Sequence, residues 1–261
     1  MTVAGALRRR AWLITGVAAA GVAGLILPFA SRDAGGERQP CRSALIPAYV
    51  APGAISELAK RSGRGRLLII NPSSGPGASA EPAYEQVVKA AQASGWRVLG
   101  YVPTGYGTRP ADAVEQDVDR YRAWFGVDGI FLDESSANQA SLAHYGELSR
   151  HVRSAPGQLV VMNPGAVPAR GYFALADVIV TFEGPVSSYA SALRETPAWV
   201  EDLPRGRIAH LIYGASREQA LEAVRRRAHA QYVYAVAGSQ PHPWSLPAYV
   251  YEEEALLDAC S

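Results

Sequence analysis

Eight short aliphatic runs punctuate the chain. They are ALIPAYV (44–50), RLLIINP (66–72), RVLGYVPT (97–104), GIFLDE (129–134), QLVVMNP (158–164), DVIVTFE (177–183), RIAHLIY (207–213) and QYVYAVA (231–237). Their cores are continuously apolar rather than alternating, the pattern of parallel strands covered on both faces. Helical spacing fills the gaps. Val114, Val118, Tyr121 and Phe125 form one stripe, with Pro110 near the helix start, and Leu142, Tyr145, Leu148 and Val152 form another. Ser216 and Gln219 stand at capping-box spacing ahead of a buried face of Leu221, Val224 and Ala228, and Arg225 to Arg227 read as the solvated side of that helix. Strand and helix patterns alternating in this way over 44–261 predict an α/β fold, a (β/α)8 TIM barrel, with an open doubly wound sheet as the alternative. A barrel of this kind presents its functional residues at the C-terminal ends of the strands.

The N-terminal segment does not belong to this pattern. Arg8, Arg9 and Arg10 precede an uncharged stretch, Ala11 to Ala30, which is the order of an export signal. Arg9-Arg10 followed by Ala11, Trp12 and Leu13 resembles a twin-arginine signal. The stretch also approaches the ~20 residues that span a bilayer, so attachment to a membrane through residues 11–30, with the arginines inside, competes with cleavage. A buried soluble helix is the third reading. No lipobox-like leucine precedes Cys41 at the needed spacing. Residues 31–43 read as a polar linker. The expectation is a secreted or extracytoplasmic protein, exported by the general or the twin-arginine route.

The 25 basic and 24 acidic residues leave a formal charge of +1, which gives no electrostatic case for a nucleic-acid partner. Two cysteines, Cys41 and Cys260, bracket the folded part. In an exported chain they are candidates for a disulfide. A closed barrel brings its first and last elements together, as such a bond requires.

Polar and aromatic residues collect at the strand ends. Tyr49 ends the first run, Asn71 and the turn SSGPG follow the second, and Tyr101, Thr104, Tyr106 and Arg109 belong to the third. Asp133 and Glu134 end the fourth, Asn163 the fifth, Glu183 the sixth and Tyr213 the seventh, and Tyr232 and Tyr234 lie in the eighth. Structural roles compete for several of them. Asp133 suits a helix cap, Arg109 a nearby acid, the tyrosines a core with a bonded tip, and SSGPG an ordinary turn without the Lys-Ser/Thr of a phosphate loop. Glu183 has no neighbouring basic residue and is the hardest to read as structural. Two carboxylates across a cleft are the equipment of glycosidic bond cleavage, and aromatic rings and amides suit sugars.

The ordered motifs IPAYV, NPSSGPG, GYVPTGYGTR, VDGIFLDE, NPG and TFE, spread over 46–183, resemble the spherulation-specific, or spherulin-4-like, family. The likeness continues weakly to about residue 236. Relatives in that family are similar to retaining α-galactosaminidase barrels that cut α-1,4-linked galactosamine and N-acetylgalactosamine polymers of biofilm matrices. The resemblance therefore implies a secreted, endo-acting glycoside hydrolase that needs no cofactor and takes a polysaccharide substrate. It implies Asp133 as nucleophile and Glu183 as acid/base, with Glu134 holding a sugar amine or tuning Asp133. Within the Asp133-Glu134 pair the roles stay open, because successive strand residues point to opposite faces. Tyr49, Asn71, Tyr101, Tyr106, Arg109, Asn163, Tyr213 and Tyr234 are the expected substrate contacts. The short loop after the fourth strand argues against a tunnel.

Two other chemistries find no support. His144, His151, His210, His229 and His242 show neither HxxxH nor HExxH spacing, so a metal-dependent deacetylase is not expected and no metal site is assigned. No GxSxG elbow marks a serine hydrolase. The rival from another class is a non-catalytic carbohydrate-binding barrel at the cell surface.

Overall fold

The computed structural model describes residues 42–226 and 228–258. Cys41, Cys260, the export segment 1–30 and most of the linker lie outside these residues. Eight parallel strands follow one another in sequence order: β1 (Leu45–Ala48), β2 (Leu67–Ile70), β3 (Arg97–Pro103), β4 (Gly129–Asp133), β5 (Leu159–Met162), β6 (Val178–Pro185), β7 (Ile208–Tyr213) and β8 (Tyr232–Ala235). Each pairs in parallel with the next, and Ser43 bridges Tyr232, so the sheet nearly closes on itself. Ser43, assigned from sequence to the linker, is thus already part of the barrel wall.

Seven α-helices among the described residues connect or follow the strands: α1 (Pro52–Ala59), α2 (Pro82–Ala93), α3 (Ala111–Phe125), α4 (Leu142–Val152), α5 (Val186–Glu195), α6 (Arg217–Arg225) and α7 (Val250–Asp258). The β5–β6 crossover departs from the ideal alternation. It holds only a 3-10 segment, Arg170–Ala174, which buries Tyr172 and Phe173 against the core. The strands are buried on both faces, which is why their sequences read as unbroken apolar runs.

Local details follow from the side chains. Val114, Val118, Tyr121 and Phe125 are the buried stripe of α3, each contributing about 1.5–3 kcal/mol relative to exposure. Tyr121 lies so close on β3 that a Cβ at Gly100 would stand 2.4 Å from its ring. Helix α6 begins with the capping box, Ser216 accepting from Gln219 N–H while the Gln219 side chain accepts from Ser216 N–H. That helix ends at Arg225, earlier than the periodicity suggested, and Ala228 reaches the core from the irregular chain beyond.

One irregularity aims a functional side chain. Val180 of β6 pairs with Ala209 and Phe182 with His210, so Thr181 is an extra residue in the ladder. Thr181 lines a small outer cavity with Leu193 and His210, and Phe182 packs on Tyr189 and His210, so both face the helices. The bulge shifts the alternation by one residue. Without it Glu183 would point outward; with it Glu183 enters the barrel mouth.

Candidate active site

At the C-terminal face the strand ends surround a cleft of about 650 Å³, a volume typical of small-ligand sites. Tyr49, Asn71, Tyr101, Asp133, Glu134, Asn163, Glu183 and Tyr213 line it, contributed by seven successive strands and the residues just after them. Sequence spacing alone placed all eight at strand ends, and the barrel brings them to one rim.

Asn163 organises the centre. Its Nδ2 donates to Asp133 Oδ1 at 2.7 Å and also to Glu183 Oε2. Sharing one nitrogen keeps these two oxygens within about two hydrogen-bond lengths, ~6 Å. The Tyr101 hydroxyl and the backbone of Glu134 also favour the charged form of Asp133. Burial pushes the Glu183 carboxyl up to about 7, restrained by the Asn163 amide and reinforced by the Asp133 charge. Burial raises Asp133 too, but the Glu134 backbone, Tyr101 and Asn163 all pull it down, against the charge of Glu134. Burial first, then the Asp133 charge, holds the Tyr101 phenol well above its usual value, so it stays a donor. Three groups hold the Asp133 carboxyl down and Asn163 alone holds down Glu183, so Asp133 is the better-supported anion and Glu183 the proton carrier.

Both members of the Asp133-Glu134 pair line the cleft. Strand alternation would send only one there, but β4 ends at Asp133 and Glu134 turns back with a φ of 49°. The turn is held from below. Tyr106 N–H donates to the Glu134 carbonyl at 2.6 Å, and the Thr104 hydroxyl lies 2.9 and 2.8 Å from the carbonyls of Asp133 and Glu134. Thr104 in turn meets the Tyr145 hydroxyl at 2.8 Å. Ser74 (φ 47°) and Tyr106 (φ 55°) share the left-handed conformation, so every non-glycine residue of positive φ among the described residues lines this cleft. Each costs on the order of 1–3 kcal/mol and persists only where its surroundings fix it.

Aromatic rings flank the acids. Tyr106 is 65% exposed on the β3 side. Across the mouth, four strands away, Tyr213 meets Trp244 edge to face with ring centroids 6.3 Å apart. Tyr49 and Tyr101 pack edge to face at 5.3 Å on the wall. Asn71 lines the cleft and also accepts from Gly75 N–H at 2.9 Å, so it shapes the SSGPG turn.

Two expected contacts lie elsewhere. Arg109 is absent from the lining; its guanidinium donates to the carbonyls of Pro103 and Ala113 and to Asp117 Oδ2 at 2.6 Å, a structural ion pair behind the β3 turn. Tyr234 is wholly buried and donates to the Ser245 carbonyl, its ring supporting Trp244 at 6.5 Å. Conversely, sequence reasoning missed the loop after β8, where Gln240 to Trp244 form one wall of the cleft. A tryptophan among prolines just after the last strand was the available signal.

A family model described as "Spherulation-specific family 4" matches residues 43–253. Spherulin-4 of Physarum polycephalum is 37% identical over 164 residues, 59% of this chain and 49% of that protein, so the chain spans about half the length of this curated relative. The crystal structure of Aspergillus clavatus Sph3 in complex with GalNAc superposes with a TM-score of 0.69 at 26% identity, covering 85% of this chain and 99% of that one. A noncanonic maltogenic alpha-amylase, AmyB of Thermotoga neapolitana, shares the fold alone, with 12% identity and a TM-score of 0.50 over 82% of this chain and 74% of that one.

Proposed function

Because the chain belongs to spherulation-specific family 4, we propose that it is a glycoside hydrolase acting within α-1,4-linked galactosamine and N-acetylgalactosamine polymers. The observation that carries this reading is the single Asn163 amide touching both Asp133 and Glu183 at the floor of an open cleft. Carboxyl groups ~5–5.5 Å apart serve double displacement, whereas ~6.5–9.5 Å leaves room for a direct water. The shared amide favours the shorter spacing. GalNAc in the Sph3 complex supports the sugar class.

Asp133, ionised, attacks the anomeric carbon while the bond to the leaving oxygen breaks and Glu183 gives that oxygen its proton. A glycosyl ester on Asp133 results. Glu183, now a carboxylate, takes a proton from water as the water oxygen attacks the same carbon and the ester bond breaks, which restores both acids. Tyr101 and Asn163 stabilise the Asp133 anion, and Glu134 carries a third carboxylate into the cleft beside any sugar amine. Tyr106 on one side and Tyr213 with Trp244 on the other supply ring faces for sugars on either side of the cut bond. Export belongs to the same proposal, on the strength of Arg8 to Arg10 ahead of the apolar stretch.

The test is reducing-end release from defined amino-sugar polymers by the wild type and by Glu183→Gln. Release by the wild type alone, with binding kept in both, is expected. No release from either with binding intact in both would replace the enzyme by a carbohydrate-binding barrel.

A further inference from the structure

We propose that Asn163 is the positioning residue of this site, its one amide nitrogen setting the spacing of Asp133 and Glu183 rather than holding a substrate hydroxyl. The reaction it serves rests on the hydrolase reading above; the clamp itself rests on geometry. Both amide protons are committed, one to Asp133 Oδ1 and one to Glu183 Oε2. Gly165 N–H donates to Asn163 Oδ1 at 3.0 Å, which decides which end of the amide is oxygen. No side-chain proton of Asn163 remains for a ligand. The residue is 6% exposed, so the amide has little room to turn away.

The turn carrying this amide is tied to both acid-bearing strands. Asn163 N–H donates to Leu132 O at 2.9 Å, and Ser135 N–H donates to Asn163 O at 2.9 Å, on either side of Asp133. On the other flank Glu183 N–H donates to the Gly165 carbonyl at 2.9 Å. Gly165 has a φ of 68°, which glycine adopts without steric cost, and a Cβ there would stand 3.7 Å from the Glu183 Cβ. Asn163, Pro164 and Gly165 therefore fix the backbone and side chain of Glu183 against those of Asp133. The same neutral donor opposes the rise that burial imposes on both carboxyls.

Asn163→Ala in the full chain tests this by kinetics across pH and by 13C NMR titration of the Asp133 and Glu183 carboxyls. The clamp predicts a kcat loss of roughly tenfold or more with KM changed by less than about threefold. It also predicts that both limbs of the pH profile and both carboxyl titrations move to higher pH. A raised KM with kcat and both titrations unmoved would make Asn163 a substrate contact and overturn the proposal. Should Asn163→Ala not fold by circular dichroism, Asn163→Ser, whose single proton cannot serve both acids, carries the same readings. The carboxyl titrations need no substrate. They decide the clamp even if the wild type releases no reducing ends, a result that would count against the hydrolase reading alone.

Discussion

An acid precedes each of strands β4 and β6 and another lies at or near its C-terminal end, and the two positions differ in what the acid faces. Where the strands begin, Asp128 Oδ2 accepts Val98 N–H of β3 at 2.8 Å and Gln92 Nε2 at 3.1 Å, while Asp177 accepts Val160 N–H of β5 at 2.7 Å and the Arg153 guanidinium at 3.1 Å. Where they finish, Asp133 and Glu183 meet the side-chain amide of Asn163 beside an open cleft. A carboxylate bonded to the preceding strand's backbone extends the sheet ladder. One bonded to a side chain and open to the cleft is free to meet a ligand. A bond into the neighbouring strand's ladder marks the structural acids, and a place on the cleft lining marks the chemical ones.

The largest expected effect comes from exchanging one exit acid. Glu183→Gln should lower reducing-end release about 10²–10⁴-fold, with an unchanged or higher thermal midpoint, because the buried charge it removes is costly. Kinetics and calorimetry on the same preparation check both halves. Asp177→Ala at the entry end should do the reverse. Val160 N–H is buried and loses its acceptor, at about 1–3 kcal/mol of stability, while kcat per folded molecule stays constant. Loss of activity without loss of stability in that variant would erase the distinction between the two ends.

The pH dependence sharpens the comparison. Glu183 titrates at about 7 in the folded chain against 4.5 in the unfolded one. Activity should fall as pH rises through about 7 and the acid loses its proton. Its contribution to stability is fullest below 4.5 and is lost over the same rise, since the unfolded chain gives up the proton more readily. Glu253 on α7 prolongs that decline. It is 1% exposed, neither carboxylate oxygen has a well-formed hydrogen bond among the described residues, and burial pushes its carboxyl up to about 9. Glu253→Gln should flatten the stability loss between pH 7 and 9, followed by thermal unfolding across pH, with neutral activity kept. The smallest effect belongs to Tyr106→Ala. Removing its exposed ring should raise KM a few-fold, equivalent to ~0.5–1.5 kcal/mol, with little change in kcat.

The barrel was legible because parallel strands buried on both faces leave unbroken apolar runs, and Asp133 and Glu183 stood out because each run ends on an acid. What escaped the sequence depends on contacts between distant segments. The β5–β6 crossover has a 3-10 segment in place of a helix, and its short, Gly- and Pro-punctuated stretch carries no periodicity that shows it. Arg109 had two readings, a substrate contact or the partner of a nearby acid, and Asp117, beyond the first turn of α3, takes it. Tyr234 shares the spacing of the cleft tyrosines, but its hydroxyl belongs to Ser245. The wall from Gln240 to Trp244 is set by Trp244 packing on Tyr213 and Tyr234, a tertiary fact. Even the orientation of Glu183 hinges on one extra residue, Thr181, that no alternation rule reveals.

The most direct measurement is the anomeric form of the first reducing ends released from an α-1,4-linked N-acetylgalactosamine polymer, followed by proton NMR before mutarotation. Two carboxylates held by one amide predict double displacement, so the α anomer appears first and drifts toward equilibrium. The β anomer appearing first would mean that water attacks directly between acids set farther apart, and would contradict the shared-amide geometry.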